Sequence, residues 1–157
     1  MKNQTNTNKY NLVTNLIKRE VNDILQGKYQ QCVLGTVDQD GYPYLSKTMP
    51  LYYKKKLFLL LSDLSDHTEN LKNNKKVSIY FAQEETHKER LNNPRLTLLG
   101  LIEKLKLNKN DELFVKLLKK YALIEKSAKM WGEFLDFNFY EFKIQNSIYV
   151  KGFGKAY

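Results

Sequence analysis

The stretch CVLGTVDQDGYPYLSKTMPLYYKKKLFLLLS, residues 32–62, decides the fold. CVLGTVD (32–38) reads as a strand, and QDGYP (39–43) is turn chemistry, with Asp40-Gly41 supplying the tight turn. YLSKTMPLYY (44–53) reads as a second strand, and Pro50 within it points to an edge position or a bulge. KKK at 54–56 makes the next turn, and LFLLLS (57–62) a third strand. Three strands joined by short turns form an antiparallel meander.

Outward from the meander, the period changes on both sides. Upstream, Leu12, Leu16, Ile17, Val21, Ile24 and Leu25 share one face of a helix expected over 10–26, with Gly27 as its C-terminal stop. Downstream, VSIYFA (77–82) and RLTLLGLIEKL (95–105) read as strands, the latter bent or bulged at Gly100. Asn110 caps a helix with an apolar stripe of Leu113, Phe114, Leu117, Leu118 and Tyr121. A shorter helix is expected over 127–135. FNFYEFKI (137–144) and SIYVKGFG (147–154) are expected to close the chain as a hairpin around Gln145-Asn146. The expected fold is mainly β: a six- to seven-stranded antiparallel barrel, closed or nearly so to hide its edges, with flanking helices. Residues 1–27 read as a tail and an amphipathic helix packing on a single domain, 28–157. ETHKERLNNP (85–94) is the longest irregular segment and the expected mobile one.

Composition narrows the class. Thirteen per cent aromatic residues, eleven of them tyrosines, favour a folded, strand-rich domain over disorder. No apolar run reaches ~20 residues, so no membrane span is expected. The N-terminus lacks an apolar leader, and one cysteine, Cys32, permits no internal disulfide; both point to the cytoplasm. The net charge of +9 divides as +5 over residues 1–82 and +4 over 83–157, so there is no basic tail. Few of the cations are arginine, and no nucleic-acid motif is present; a solvated lysine surface is expected, with no nucleic-acid partner.

SDLSDHTENL (62–71) carries the chemistry. Ser65 or Asp66 caps a helix through His67, Asn70 and Leu71, so Ser62 ends a strand and His67 lies in the first helical turn. Free N–H groups and the helix dipole there suit an anion, to which Ser62, Ser65 and His67 can add hydroxyls and an imidazole. A capped helix after a strand equally needs no ligand. His67 and His87 with one cysteine make no metal-ligand pattern, so no metal is expected. Cys32 reads as a buried hydrophobe. Trp131 reads as core or interface, or as a rest for a flavin ring or porphyrin edge. No residue presents itself as a general acid or base, so no catalytic group is assigned.

Three segments add a family resemblance: SDLSDHTENLKNNKKVSIYF (62–81), NPRLTLLGLIEKL (93–105) and SIYVKGFGKAY (147–157), together with the meander at 33–53. In order and spacing they resemble the haem-utilisation branch of the pyridoxamine-phosphate-oxidase-like, FMN-binding split-barrel family, over roughly residues 28–157. The resemblance implies a split-barrel homodimer with two sites in the grooves between subunits. It implies that Ser62, Ser65 and His67 face the FMN phosphate. Ser46, Lys47, Thr48 and Met49 then pass the flavin ring, and Arg95 and Thr97 approach from a neighbouring strand. Lys151 reaches in from the other subunit. In haem-binding relatives the same groove holds the porphyrin near the arginine of R-L-T. Asp136 matches an acidic position that, in some haem-degrading relatives, orients the iron-ligating histidine. Those relatives carry that histidine beyond G-F-G-x-A, and the given sequence ends at Tyr157. The expectation is therefore an FMN-binding flavoprotein and oxidoreductase, with haem as the alternative cofactor.

Overall fold

The structure, a computed structural model, describes residues 10–157. Eight strands form one antiparallel sheet: β1 (Gln31–Val37), β2 (Pro43–Lys47), β3 (Leu51–Tyr53), β4 (Lys56–Ser62), β5 (Lys76–Ala82), β6 (Arg95–Lys104), β7 (Phe137–Gly152) and β8 (Lys155–Ala156). Their order is β2-β1-β5-β6-β7-β4-β3, with β8 paired to β7. The helices are α1 (Asn15–Leu25), α2 (Asp66–Asn73), α3 (Glu112–Tyr121) and α4 (Ala128–Trp131).

The order carries its own geometric consequence. β2 and β3 lie at opposite ends of the sheet, yet only Thr48, Met49 and Pro50 separate them. Seven strands laid flat at ~4.8 Å spacing would hold the two edges roughly 29 Å apart. The link from Lys47 to Leu51 spans at most about 14 Å. The sheet must therefore curl until its edges approach, leaving a barrel split along the seam at 48–50. Pro50 belongs at this seam because it marks the point where the chain leaves one edge for the other, where no ladder needs its missing N–H. The Thr48 N–H donates to the Cys32 carbonyl (3.1 Å), which carries β2's pairing to the seam itself.

Two cores follow. Inside the barrel, alternate residues of β1, β5 and β6 (Leu34, Ile79, Phe81, Leu96 and Leu98 among them) are buried. Ile17 and Ile24 of α1 join the same cluster. Outside it, α3 lays Phe114, Leu117 and Tyr121 against Phe58, Leu60 and Phe139. β4 is thus covered on both faces, which is why LFLLL is apolar without alternation and buried throughout.

Three expectations are corrected. The predicted helix over 10–26 begins only at Asn15, capped by Thr14, whose hydroxyl accepts from the Ile17 N–H (3.3 Å); Leu12 and Leu16 are exposed. The predicted second strand is two strands, because the seam interrupts it. The predicted C-terminal hairpin does not exist: β7 runs unbroken for 16 residues. It pairs first with β4 and then with β6, and Gln145 is the extra residue of a bulge opposite Leu99 and Gly100. The ten-residue β6 offers a continuous partner, so the Gln145-Asn146 signal is spent on a bend rather than a turn. The bulge also shifts the phase of burial, from Tyr140 and Phe142 before it to Tyr149 after it.

The KKK turn also carries strain. Lys54 and Lys55 both sit at positive φ (50° and 62°), the left-handed pair of a two-residue hairpin that favours Asn-Gly. The loop at 85–94 is tied by buried Asn93. Its side-chain oxygen accepts from the Thr86 and His87 N–H groups, and its amide donates to the carbonyls of His87 and Arg90.

Gly100 sits where β6 and β7 touch at the bulge: a Cβ there would stand 2.2 Å from the Lys143 carbonyl oxygen. A backbone neighbour cannot move aside as a flexible side chain can. Gly100→Ala should therefore lose ~1–3 kcal/mol in urea unfolding, as overpacked sites do. A midpoint equal to wild type would contradict the bulge geometry.

Candidate functional site

A pocket of about 240 Å³ opens where the seam, β4 and the outer helices meet. The seam contributes Lys47, Thr48 and Met49. The end of β4 and the start of α2 contribute Ser62, Ser65 and His67, and α4 contributes Trp131. These segments are distant in sequence and come together only because the barrel closes. Leu60, Leu61 and Phe137 complete an apolar side, on which Trp131 stacks against Phe137 (centroids 6.0 Å apart, planes 20°).

The polar end is built on α2. Ser65 is the N-cap, but its side chain makes no capping hydrogen bond. Asp66 does not occupy the free N–H groups of the first turn either. Its carboxylate accepts instead from the Tyr44 hydroxyl (3.0 Å). The helix is anchored from below, where the Thr68 hydroxyl donates to the Ser62 carbonyl (2.7 Å) and the Asn70 amide to Thr36 Oγ1 (2.9 Å). His67 has its Nε2 buried and without a hydrogen-bond partner among the described residues. A buried, unpartnered imidazole nitrogen costs stability unless something outside the described chain satisfies it. Burial holds its pKa below the ordinary 6.5, partly offset by the Asp66 carboxylate, so the ring is neutral at pH 7.

Other groups around the pocket are already committed. The Ser62 hydroxyl donates to the Asp136 carboxylate in a short hydrogen bond and accepts from the Leu64 N–H (3.1 Å). Asp136 therefore has Ser62 as its partner, not a histidine, and Ser62 has no proton left for a ligand. The Tyr121 hydroxyl donates to the Met49 carbonyl and pins the seam. Glu125 lines the pocket and accepts from the Ser127 N–H (2.9 Å). Cys32 faces the barrel interior, where burial raises its thiol to about 12, so it is no nucleophile.

Four predicted residues lie outside this pocket. Ser46 faces inward beside Leu34, with a buried hydroxyl oxygen that has no partner. Arg95 turns its guanidinium to the carbonyls of Leu91 (3.0 Å) and Asn93 (3.4 Å). Thr97 points out of the barrel between Tyr80 and Ile148. Lys151 is paired with Glu20 of α1 (2.5 Å). Tyr121, Glu125, Leu60, Leu61 and Phe137 line the pocket without having been assigned to a site from the sequence, where Tyr121 appears only in the helix's apolar stripe. The unbroken run LFLLL is the one signal that could have pointed to them, since two-sided burial implies a second layer outside the barrel.

Residues 17–151 match the family described as pyridoxamine 5'-phosphate oxidase, and the chain belongs to that family. It is 28% identical over 132 residues to "Heme oxygenase HutZ" of Vibrio cholerae serotype O1 (strain ATCC 39315 / El Tor Inaba N16961), covering 79% of this chain and 70% of that protein. The crystal structure of HutZ, described as a heme storage protein from Vibrio cholerae, superposes with a TM-score of 0.71 at 22% identity, over 83% of this chain and 92% of that one. A heme binding protein from Mycobacterium smegmatis superposes with a TM-score of 0.73 at 20% identity, over 85% of this chain; the chain spans 53% of that protein's length. These structural likenesses establish the split-barrel fold. No helix among the described residues is long and apolar enough to cross a membrane.

The buried state of His67 has a pH signature. Its folded pKa lies below 6.5, so between the two values the unfolded chain binds the extra proton, and stability falls as pH drops below about 6.5. Relative to His67→Gln, the wild type should lose stability between pH 7 and pH 5, and the His67 ring should titrate by NMR below 6.5. A midpoint at or above 6.5 would show that the ring is solvated.

Proposed function

We propose that the protein binds haem in the pocket beside the seam, and that two copies of the chain complete each site. The observation that carries this reading is His67: a neutral imidazole with a buried, unpartnered Nε2 beside an apolar slot formed by Met49, Leu60, Trp131 and Phe137. Neutral imidazole is an iron ligand, and the slot suits a flat aromatic ring. The names carried by HutZ and by the Mycobacterium smegmatis protein point to the same cofactor. Bound haem supplies redox and oxygen chemistry. The chain's own residues hold the ring against Trp131, exclude water with Leu60 and Phe137, and place Lys47 and Ser65 at the polar end.

FMN is the second reading, and a different observation favours it. The first-turn N–H groups of α2, the Ser65 hydroxyl and Lys47 together suit a phosphate. Under that reading the protein is a flavin-dependent oxidoreductase, and the phosphate draws a proton onto His67.

The second copy is argued from size and surface. About 240 Å³ is less than the ~300–1,000 Å³ of most small-molecule sites, so one protomer encloses only part of a ligand. The outward face of the sheet supplies a docking surface. Register places Val33, Tyr80, Thr97 and Ile148 in one row across four strands, with Leu45 and Leu99 in the next. Leu45 is 69% exposed and Leu99 39%. Burying this face against a second copy would carry Arg95 and Thr97 toward a site they do not reach within their own protomer.

Two experiments test this reading. In titrations of the wild type, haem should bind saturably with a Soret band that His67→Ala shifts and weakens by at least tenfold. Tight FMN uptake, weakened by the same substitution with haem ignored, would transfer the site to flavin. Saturable binding of neither, or identical behaviour of both variants, would overturn the site. Separately, Leu45→Glu should convert a dimer to a monomer in sedimentation and lower cofactor affinity; a monomeric wild type that binds fully would contradict the shared site.

A further inference from the structure

A second concavity among the described residues is larger than the proposed cofactor pocket. It is a groove of about 930 Å³ between α2 and the far end of β6. Four lysines line it: Lys72 and Lys75 from α2 and the residues after it, and Lys104 and Lys106 from β6 and the residues after it. Two carboxylates, Asp63 and Glu103, lie among them, and both are already neutralised. Asp63 accepts from the Lys104 ammonium (2.7 Å), the Asn138 amide (2.9 Å) and the Tyr140 hydroxyl (3.1 Å). Glu103 is paired with Lys143 (2.6 Å), which holds its carboxyl below the usual range. Lys72 is tied to Glu69 (2.5 Å). Lys75 and Lys106 make no ion pair among the described residues, although Lys75 also acts on Glu103 through its charge, and lysines outnumber carboxylates four to two along the groove.

Beneath this rim Leu71, Ile102, Leu105 and Leu107 form an apolar strip, with Thr68, Asn108, Asn138 and Tyr140 beside it. We infer that the groove is a second binding site, for a phosphate-bearing nucleotide. The ammonium groups of Lys75 and Lys106 meet the phosphates as point charges, and the apolar part of the floor takes the heterocycle. The volume falls within the ~300–1,000 Å³ of small-molecule sites.

The groove's position ties it to the cofactor pocket. Ser62 and Phe137 line the pocket, while their chain neighbours Asp63 and Asn138 line the groove. Phe137 and Asn138 are successive residues of β7 and point to opposite sides, and Asp63 begins the turn that follows Ser62, so the two cavities lie on either side of the paired ends of β4 and β7. This inference stands on the groove's own residues and holds for either cofactor.

The test is calorimetric titration of the full chain, without haem or FMN, at ~0.1 M salt. ADP and inorganic pyrophosphate are the probes. ADP should bind saturably, one per protomer, and pyrophosphate should displace it while binding more weakly, because it uses the rim but not the floor. The double substitution Lys75→Glu/Lys106→Glu should weaken ADP at least tenfold, with wild-type circular dichroism and melting temperature. Lys126→Glu/Lys129→Glu, an equal change of charge at exposed residues beside α4, should leave ADP binding unchanged. Absence of saturable binding, or equal loss in both double variants, would overturn the site. Pyrophosphate binding as tight as ADP would overturn the nucleotide assignment.

Discussion

Three residues, Thr48, Met49 and Pro50, join the two opposite edges of a seven-strand path, and the rest of the molecule depends on that link. A link so short admits no open sheet. It forces the curl that encloses Leu34, Ile79, Phe81 and Leu96, and it leaves one gap in the barrel wall, at the seam. The gap is where the chemistry collects. The seam residues are held from both sides, Thr48 by the Cys32 carbonyl and Met49 by the Tyr121 hydroxyl. The backbone lining the pocket is therefore fixed by the barrel on one flank and by α3 on the other.

The same closure explains how one strand serves two cavities. β4 is buried on both faces and ends at Ser62, with Asp63 beginning the turn that follows. Ser62 locks to Asp136, and Asp63 gathers Lys104, Asn138 and Tyr140. Both aspartates are consumed in holding strand ends together, which leaves His67 as the buried polar group near the pocket without a partner. Buried polar atoms in folded proteins find hydrogen bonds in the great majority of cases, so this orphan beside an aromatic slot is the feature on which the proposed ligand site rests.

The meander was legible in the sequence because its signals are local: alternation, Asp40-Gly41, and a proline at an edge. The start of α2 was legible for the same reason. Motif order then placed Lys47, Thr48, Met49, Ser62, Ser65, His67 and Trp131 together, and the fold brings these residues to one pocket. What was not legible is tertiary. Gln145-Asn146 looks like a turn until β6 offers a partner long enough to keep β7 straight through a bulge. Thr97 sits on the outward face of the sheet and Arg95 turns to the carbonyls of Leu91 and Asn93, outside the pocket. Lys151 is drawn to Glu20 across 131 positions, a contact that no local pattern announces.

The measurement that tests the account most directly is native mass spectrometry of the protein incubated with equimolar haem and FMN. The account predicts a dimer carrying two haems and no flavin. A monomer that retains cofactor would contradict the shared site, and a dimer carrying two FMN would contradict the choice of haem. A dimer carrying neither would contradict the pocket itself.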